Sequence, residues 1–522
     1  MNLTSFIGAA ARELSGLTAE VAKIAAGTST VGPDRDDWRF ADPVWSENGF
    51  YHRLMQLYLA GGDAVLRLPD VLDLDWTTAE RLRFALSLVV DAAAPTNTLL
   101  GNPLALKTAR DTRGQSLIRG AQRFVEGVRT NRGMPAQVDR SAFRVGENIG
   151  TSPGAVVFRS EVLELIQYAP STATVRSRPM VMFPSHVNKY YVFDLHPGRS
   201  LVEHLVNHGV PFFMVSWRNP TEEHRGWGID RYVEACLEAV DAATEITGSE
   251  DANVMAVCAS GVTMTAALGY LAQKADRRIN SVTLTQTLLT VDPQEPNDLL
   301  AWDALLRVGQ AIRGRNGVLA GRDLRALFAW RRANRSVWRA WVNEYLLGND
   351  PPRSEVLFWN DDQTNLPAAL HDDFVHLYTT NALEEPGGMS VLGEPIDLSK
   401  VDCDAYILGA VSDHITPWKA AYRATQLFGG TPEFVLSNAN HVQAFATRAG
   451  SLMDRHRVGG VLDPDPTAWM ASATVRPGSW RKHWTEWLLE RSGEERAAQS
   501  KLGSRRHRAM EPAPGLYVLD PS

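Results

Sequence analysis

The sequence predicts an α/β protein: a parallel β-sheet with helices on both faces, preceded by a mainly helical region. Three observations carry this prediction. From about Gly150 onward, short apolar runs alternate with helical patterns across short loops, the arrangement of a parallel sheet covered on both sides. Before Gly150 the apolar residues recur near the helical period. Third, the apolar run at 254–257 stops at Cys258 and turns at once into a helix of small and apolar residues.

Residues 3–26 are alanine-rich with few charges, and read as an amphipathic helix that packs on its own domain or touches a partner. Polar breaks fall at 33–37 and 133–139. Helices are expected around 51–60, 77–89 and 114–126. Residues 155–158 and 163–168 read as a hairpin. The alternation then runs strand 180–183, helix 201–208, strand 212–217, helix 232–246, strand 254–257, helix 262–272 and strand 279–287. Residues 291–392 interrupt it with helical, tryptophan-rich sequence (Trp302, Trp330, Trp338, Trp341 and Trp359), the expected position of a cap. It resumes with strand 405–409, helix 417–428 and strand 433–436. The sequence after Gly450 reads as helix with a loose end around Glu511-Pro-Ala-Pro-Gly515. The expected domains are a helical N-terminal domain over 1–150, a catalytic domain over 151–475 with the cap inserted at about 291–395, and a helical tail over 476–522.

At 522 residues the chain exceeds the ~250–300 residues at which a single core stops growing, so more than one unit is expected. A net charge of −7 and 22% charged residues give no footprint for nucleic acid. The short cluster Arg505-Arg506-His507-Arg508 reads as a solvated tail. Three cysteines, Cys236, Cys258 and Cys403, form no disulfide framework and suit a reducing cytoplasm. Cys236 and Cys403 read as small buried residues. No apolar run reaches the ~18–20 residues of a membrane span, and no signal peptide is evident.

Ala256-Val-Cys258-Ala-Ser260 has the shape of a nucleophile elbow, in which a strand–turn–helix thrusts the middle residue above the sheet. Glycine usually stands two positions before and after the nucleophile because the turn is tight, and Ala256 and Ser260 are the next smallest choices. Asp413 and His441 each follow an apolar strand. Nucleophile, acid and base therefore come in the order of the α/β-hydrolase triad, each at the carboxyl end of a strand. A cysteine works as the thiolate. His441 is its candidate base, and Asp413 would fix the tautomer and stabilise the imidazolium. The oxyanion needs two backbone N–H donors. The candidates are Ala259, next to the nucleophile, and Ser185, in the loop after strand 180–183. Thiolate attack on a thioester is nearly neutral in energy, so a thiol points to acyl transfer from a thioester with water excluded. His186 and His414 compete for a role; His414 is expected to point away from its neighbour Asp413. No metal-ligand spacing and no phosphate-binding glycine loop is present, so no cofactor is expected.

Beyond the triad, the chain carries specific strings: Phe40-Ala-Asp-Pro-Val-Trp45, Asn102-Pro-Leu-Ala-Leu-Lys107, Gly154-Ala-Val-Val-Phe158, Asn188-Lys-Tyr-Tyr191, Val215-Ser-Trp-Arg-Asn-Pro220, Asn365-Leu-Pro-Ala368 and Asp413-His-Ile-Thr-Pro-Trp418. With these the chain resembles the polyhydroxyalkanoate synthases, most closely the class II enzymes that polymerise medium-chain 3-hydroxyacyl groups. The resemblance covers nearly everything after Phe40. It implies an α/β-hydrolase fold with a helical cap, and polymerisation of (3R)-hydroxyacyl-coenzyme A thioesters with release of coenzyme A through an acyl-cysteine. It also implies no metal, homodimerisation, and a cytoplasmic location on the growing polymer granule. By motif its nucleophile falls on Cys258, its acid on Asp413 and its histidine on His441. The family's box has Gly where this chain has Ala256 and Ser260, and its histidine follows Ser-Gly rather than Ala439-Asn440. A thioesterase or polyester depolymerase shares the fold and triad and is the alternative; a granule coat without catalysis is a third reading.

Overall fold

The computed structural model describes residues 3–72, 74–292, 309–313, 317–446 and 453–521. It divides into two compact units, Met1–Arg140 with Ala326–Ser354, and Ser141–Arg325 with Glu355–Ser522.

The first unit is helical: α1 (Leu3–Ala26), α2 (Gly49–Leu66), α3 (Trp76–Ala92) and α4 (Gln115–Thr130). Helix starts are satisfied by side chains. Asn48 accepts from the Phe50 and Tyr51 N–H groups, and Asp75 from that of Thr78. Both α1 and α3 pack on α2. Phe40, Trp45 and Met55 make a small core whose two rings meet edge-on at 4.9 Å. The segment Ala326–Ser354, read from sequence as part of the cap, groups with these helices. The reason lies in two glycines of α4. A Cβ on Gly120 would sit 2.1 Å from the Tyr345 carbonyl oxygen, and one on Gly127 would sit 2.3 Å from the Tyr345 hydroxyl. Only glycine admits that close approach. Phe124, Trp341 and Tyr345 then pack edge to face beside it. Trp302 and the neighbouring part of the expected cap lie outside the described residues.

The second unit holds a ten-stranded sheet. Its strands are β1 (Gly154–Arg159), β2 (Leu163–Tyr168), β3 (Met180–Phe183), β4 (Phe212–Trp217), β5 (Ala252–Val257), β6 (Ile279–Thr285), β7 (Asp404–Ala410), β8 (Glu433–Ser437), β9 (Arg455–Val458) and β10 (Thr474–Pro477). Their order is β1-β2-β4-β3-β5-β6-β7-β8-β9-β10. The six strands from β4 to β8 are parallel, and antiparallel pairs close both sides. The central strands β3, β4 and β5 are buried at every position and are apolar apart from Ser216 and Asn253, the near-continuous apolar character of parallel strands covered on both faces. Helices α5 (Leu201–Asn207), α6 (Ile229–Thr247), α7 (Ala259–Gln273), α8 (Ala368–Thr380), α9 (Trp418–Arg423) and α10 (Trp480–Glu490) connect and cover the sheet. From β3 the chain crosses to β4 on one side and then to β5 on the other. The crevice between the carboxyl ends of β3 and β5 is therefore a topological switch point, where ligands bind in open α/β sheets.

The C-terminal region departs from expectation. Residues 476–522 were read as a helical tail, but α10 is their one α-helix among the described residues. The stretch read as a loose end is anchored. Met510, Glu511 and Ala513 exchange backbone hydrogen bonds with Gly154 and Val156 on the outer edge of β1. The Glu164 carboxylate, buried in β2, accepts from the N–H groups of Leu516 and Tyr517. The buried ammonium of Lys189 donates to the carbonyls of Val518 and Asp520. Pro and Gly hide this segment from a pattern reading, yet an open strand edge needs a partner and this one supplies it.

Candidate active site

Cys258 sits between β5 and α7 with φ 55° and ψ −121°, the left-handed side of backbone space that non-glycine residues occupy at a cost. Its surroundings hold it there. The Cys258 N–H donates to the Thr285 carbonyl at 2.9 Å, and the Gly261 N–H to the Cys258 carbonyl at 2.9 Å. A Cβ on Gly261 would lie 2.0 Å from Thr287 Oγ1, so the tightest point of the turn is at 261. Ser260, standing where the usual pattern has glycine, is fully buried. Its hydroxyl accepts from the Val257 N–H at 3.0 Å and lies 2.6 Å from the Phe183 carbonyl oxygen, to which it donates.

Asp413 and His441 come together across the ends of β7 and β8. His441 Nδ1 lies 2.7 Å from Asp413 Oδ2. Asp413 has its side chain fully buried and its lone pairs filled. The Ile415 and Thr416 N–H groups donate to Oδ1 at 2.8 and 2.9 Å, and the Thr416 hydroxyl donates to Oδ2 at 2.6 Å. Burial opposes charge on the imidazole. The Asp413 carboxylate beside it, the hydrogen bond to that carboxylate and a hydrogen bond to Cys258 outweigh burial and push His441 up to about 10. Burial likewise opposes the carboxylate, but the imidazolium and the Thr416 donors hold Asp413 below its ordinary range. The site therefore favours an imidazolium, the state a base reaches after taking a thiol proton.

The sequence agrees with known proteins along nearly its full length. Residues 36–205 match the family model described as the poly-beta-hydroxybutyrate polymerase (PhaC) N-terminus, and residues 185–445 match the alpha/beta hydrolase fold. A poly(3-hydroxyalkanoate) polymerase 1 from Ectopseudomonas oleovorans is 43% identical over 96% of this chain and 89% of its own length. The chain belongs to the poly(3-hydroxyalkanoate) polymerase family. A second polymerase of that organism is 41% identical over 98% of this chain and 91% of its own length. The polymerase subunit PhaC of Cupriavidus necator is 38% identical over 92% of this chain and 83% of its own. Among solved structures, a monoacylglycerol lipase from Paleococcus ferrophilus is 14% identical, with 63% of this chain and 99% of that chain covered and a TM-score of 0.33.

In this polymerase-family chain one expected oxyanion donor, Ala259, belongs to the elbow, and the other, Ser185, to the loop after β3. Ala259 is the first residue of α7, so its N–H is among those a helix leaves without an internal partner. The β3–β5 ladder ends with Phe183 paired to Ala256, and Ser185 stands two residues beyond it on the loop after β3. His186 is engaged by other side chains. It is buried, bonded through Nε2 to Thr263 Oγ1 at 2.9 Å and packed on Trp217 and Tyr232, and burial pulls it down to about 3. His414 is half-buried on the turn that carries Asp413. Among the described residues no group of three or more His, Cys, Asp or Glu is placed to hold a metal ion.

Two neighbours escaped the sequence reading. Thr416 binds the acid through both its N–H and its hydroxyl, and an Asp followed three residues later by Thr at a strand end was the available signal. Tyr378, on α8, donates to the Leu288 carbonyl at 3.0 Å and lies close enough to Cys258 to feel a charge there. No local pattern could have placed it.

Proposed function

We propose that this chain polymerises (3R)-hydroxyacyl-coenzyme A thioesters into polyhydroxyalkanoate, releasing coenzyme A, through an acyl-enzyme on Cys258. The observation that carries this reading is a cysteine at the strand–helix elbow, in the electrostatic reach of a histidine whose Nδ1 lies 2.7 Å from a buried carboxylate.

His441 takes the Cys258 proton, and the thiolate attacks the thioester carbonyl. The oxyanion accepts from the Ala259 and Ser185 N–H groups. Collapse breaks the bond to coenzyme A, whose sulfur takes the proton back from the imidazolium. A 3-hydroxyl, from the next substrate or the chain end, then gives its proton to His441 and attacks the acyl-cysteine. An ester forms, and the Cys258 thiol is regenerated by proton return. Each cycle makes one ester and frees one thiol. Asp413 holds the imidazole and its charge throughout. Water must be kept from the acyl-cysteine, a task we assign to the helical residues between β6 and β7 that belong to this unit.

The polymer is apolar, and the helical unit is the better suited to meet it. Most of the large apolar side chains left exposed among the described residues lie there, including Leu14, Phe50, Val89, Leu100, Ile118 and Val128. We assign this unit to granule contact and homodimerisation, which puts the enzyme on cytoplasmic granules. None of the described helices is long and apolar enough to cross a membrane.

The test is incubation of purified protein with 3-hydroxybutyryl- and 3-hydroxydecanoyl-coenzyme A separately, following thiol release and examining the insoluble product. Thiol release with polyester is expected, faster with the longer substrate. Thiol release with free hydroxyacid alone would make the protein a thioesterase instead.

A further inference from the structure

Resting on the acyl-cysteine reading, we propose that Trp217 and Ser260 are positioning residues that preset the oxyanion site, by clamping from two sides the strand end that bears the Ser185 N–H.

A peptide group is planar and trans, so the direction of its carbonyl fixes that of its N–H. The N–H of Ser185 belongs to the peptide whose oxygen is the Pro184 carbonyl. That oxygen accepts a hydrogen bond from the buried indole N–H of Trp217, at the end of β4, at 2.7 Å. With this bond made, the Ser185 N–H points the opposite way, away from the Trp217 indole. β4 and β5 lie on opposite sides of β3, and we take the freed direction to be that of the strand that ends in Cys258. The indole ring is itself fixed, packed against His186 at 4.7 Å and Tyr232 at 5.5 Å between ring centres, two rings that also meet each other at 4.6 Å.

Ser260 sets the second coordinate. Its oxygen accepts from the Val257 N–H, one residue before the nucleophile, and its one proton is shared between the Phe183 carbonyl at 2.6 Å, one residue before Pro184, and the Val257 carbonyl at 2.9 Å, with the shorter contact spanning the strands. One oxygen atom thus couples the elbow to the loop carrying the second donor. Two parallel strands diverge once their ladder ends, and this is the bond that spans them at that point. Pro184 has no N–H with which to continue the ladder. The replacement of glycine by serine therefore adds a bond at the place where two separately supported donors must share one oxygen. Preorganised donors are where acyl-transfer enzymes gain most of their rate.

Such a role separates two reactions of the same thiol. Acylation by a thioester passes through an oxyanion. Alkylation by iodoacetamide is a displacement at a saturated carbon and forms none. W217F keeps the aromatic packing and removes the donor; S260A removes a single oxygen. The experiment measures, for each variant, the rate of coenzyme A release from 3-hydroxydecanoyl-coenzyme A, the KM, and the iodoacetamide alkylation rate of Cys258 by peptide mass. Thermal unfolding shows that each variant is folded, and S260A carries the test alone should W217F not fold. The expected result is a kcat lowered by about 10²-fold, the loss typical of one oxyanion donor, with KM and the alkylation rate within a few-fold of wild type. The proposal is overturned if acylation and alkylation fall together, which is the signature of a disordered elbow, or if neither changes. A wild-type protein that still turns over after complete alkylation of Cys258 would instead sink the acyl-cysteine reading beneath it.

Discussion

At the scale of single residues the candidate site is an ion pair waiting for a substrate, and its parts make separate predictions. Cys258→Ala is expected to abolish thiol release while leaving the unfolding midpoint near wild type, because the half-buried side chain contributes little packing. Polymer formation by that variant would refute the nucleophile. Asp413→Asn should lower kcat by about 10³–10⁴-fold, since an amide cannot stabilise the imidazolium and can select the wrong tautomer. Thr416→Val removes one hydrogen bond to a buried carboxylate, a loss of about 1.5–3 kcal/mol in urea unfolding. The pair also imposes a pH dependence. His441 is raised in the folded protein, so its contribution to stability is complete below the ordinary 6.5 and fades as pH climbs through about 10. Asp413 is lowered, so its contribution is present above the ordinary 3.8 and is lost on acidification. The stability gap between wild type and His441→Gln should therefore be wide near pH 6 and narrow toward pH 10. A gap that stays constant over that range would mean the pair is not ionised. These residues were legible in sequence because each follows a strand. Thr263, which takes up His186, lies 77 positions away from it, a distance no pattern spans.

At the scale of elements, the elbow was readable and its internal packing was not. The sequence singled out Ala256 and Ser260 as departures from glycine, on the argument that the turn lacks room. The structure locates the lack of room one residue later, at Gly261 against Thr287. Gly261→Ala is thus expected to cost about 1–3 kcal/mol by overpacking and to displace the nucleophile. Thr287→Ala in the same chain should recover part of that loss, and a strictly additive double variant would show that the two do not touch. The central strands were visible as apolar runs, and their parallel arrangement followed from alternation, whereas their order in the sheet did not. Strands β9 and β10 were missed. Their sequences, Arg455-His-Arg-Val and Thr474-Val-Arg-Pro, carry charge and proline because β10 is an exposed edge, and edge strands do not advertise themselves by hydrophobicity.

At the scale of the whole molecule, what escaped the sequence is long-range closure. The stretch around Glu511–Gly515 reads as loose because it is rich in proline and glycine, yet it and its neighbours complete the outer edge of β1 and satisfy the buried Glu164. Removing residues 511–522 leaves that carboxylate with Arg159 and without two N–H donors. The expected cost is about 3 kcal/mol or more in denaturant unfolding, and an unchanged midpoint would show the strap to be dispensable. The helical unit teaches the same lesson at greater range: Gly120 and Gly127 are cut to fit Tyr345, more than two hundred positions downstream. That unit is assembled from two separate stretches, so the chain passes between the units at 140–141, at 325–326 and again at 354–355. Genetic dissection inherits this threading. A fragment ending at Arg140 would carry vacant glycine grooves. A catalytic fragment starting at Ser141 would drag along twenty-nine residues whose neighbours had been deleted, from Ala326 to Ser354. The workable separation is an excision rather than a cut, with the second stretch looped out by a short linker and the first fused to it in a new chain order.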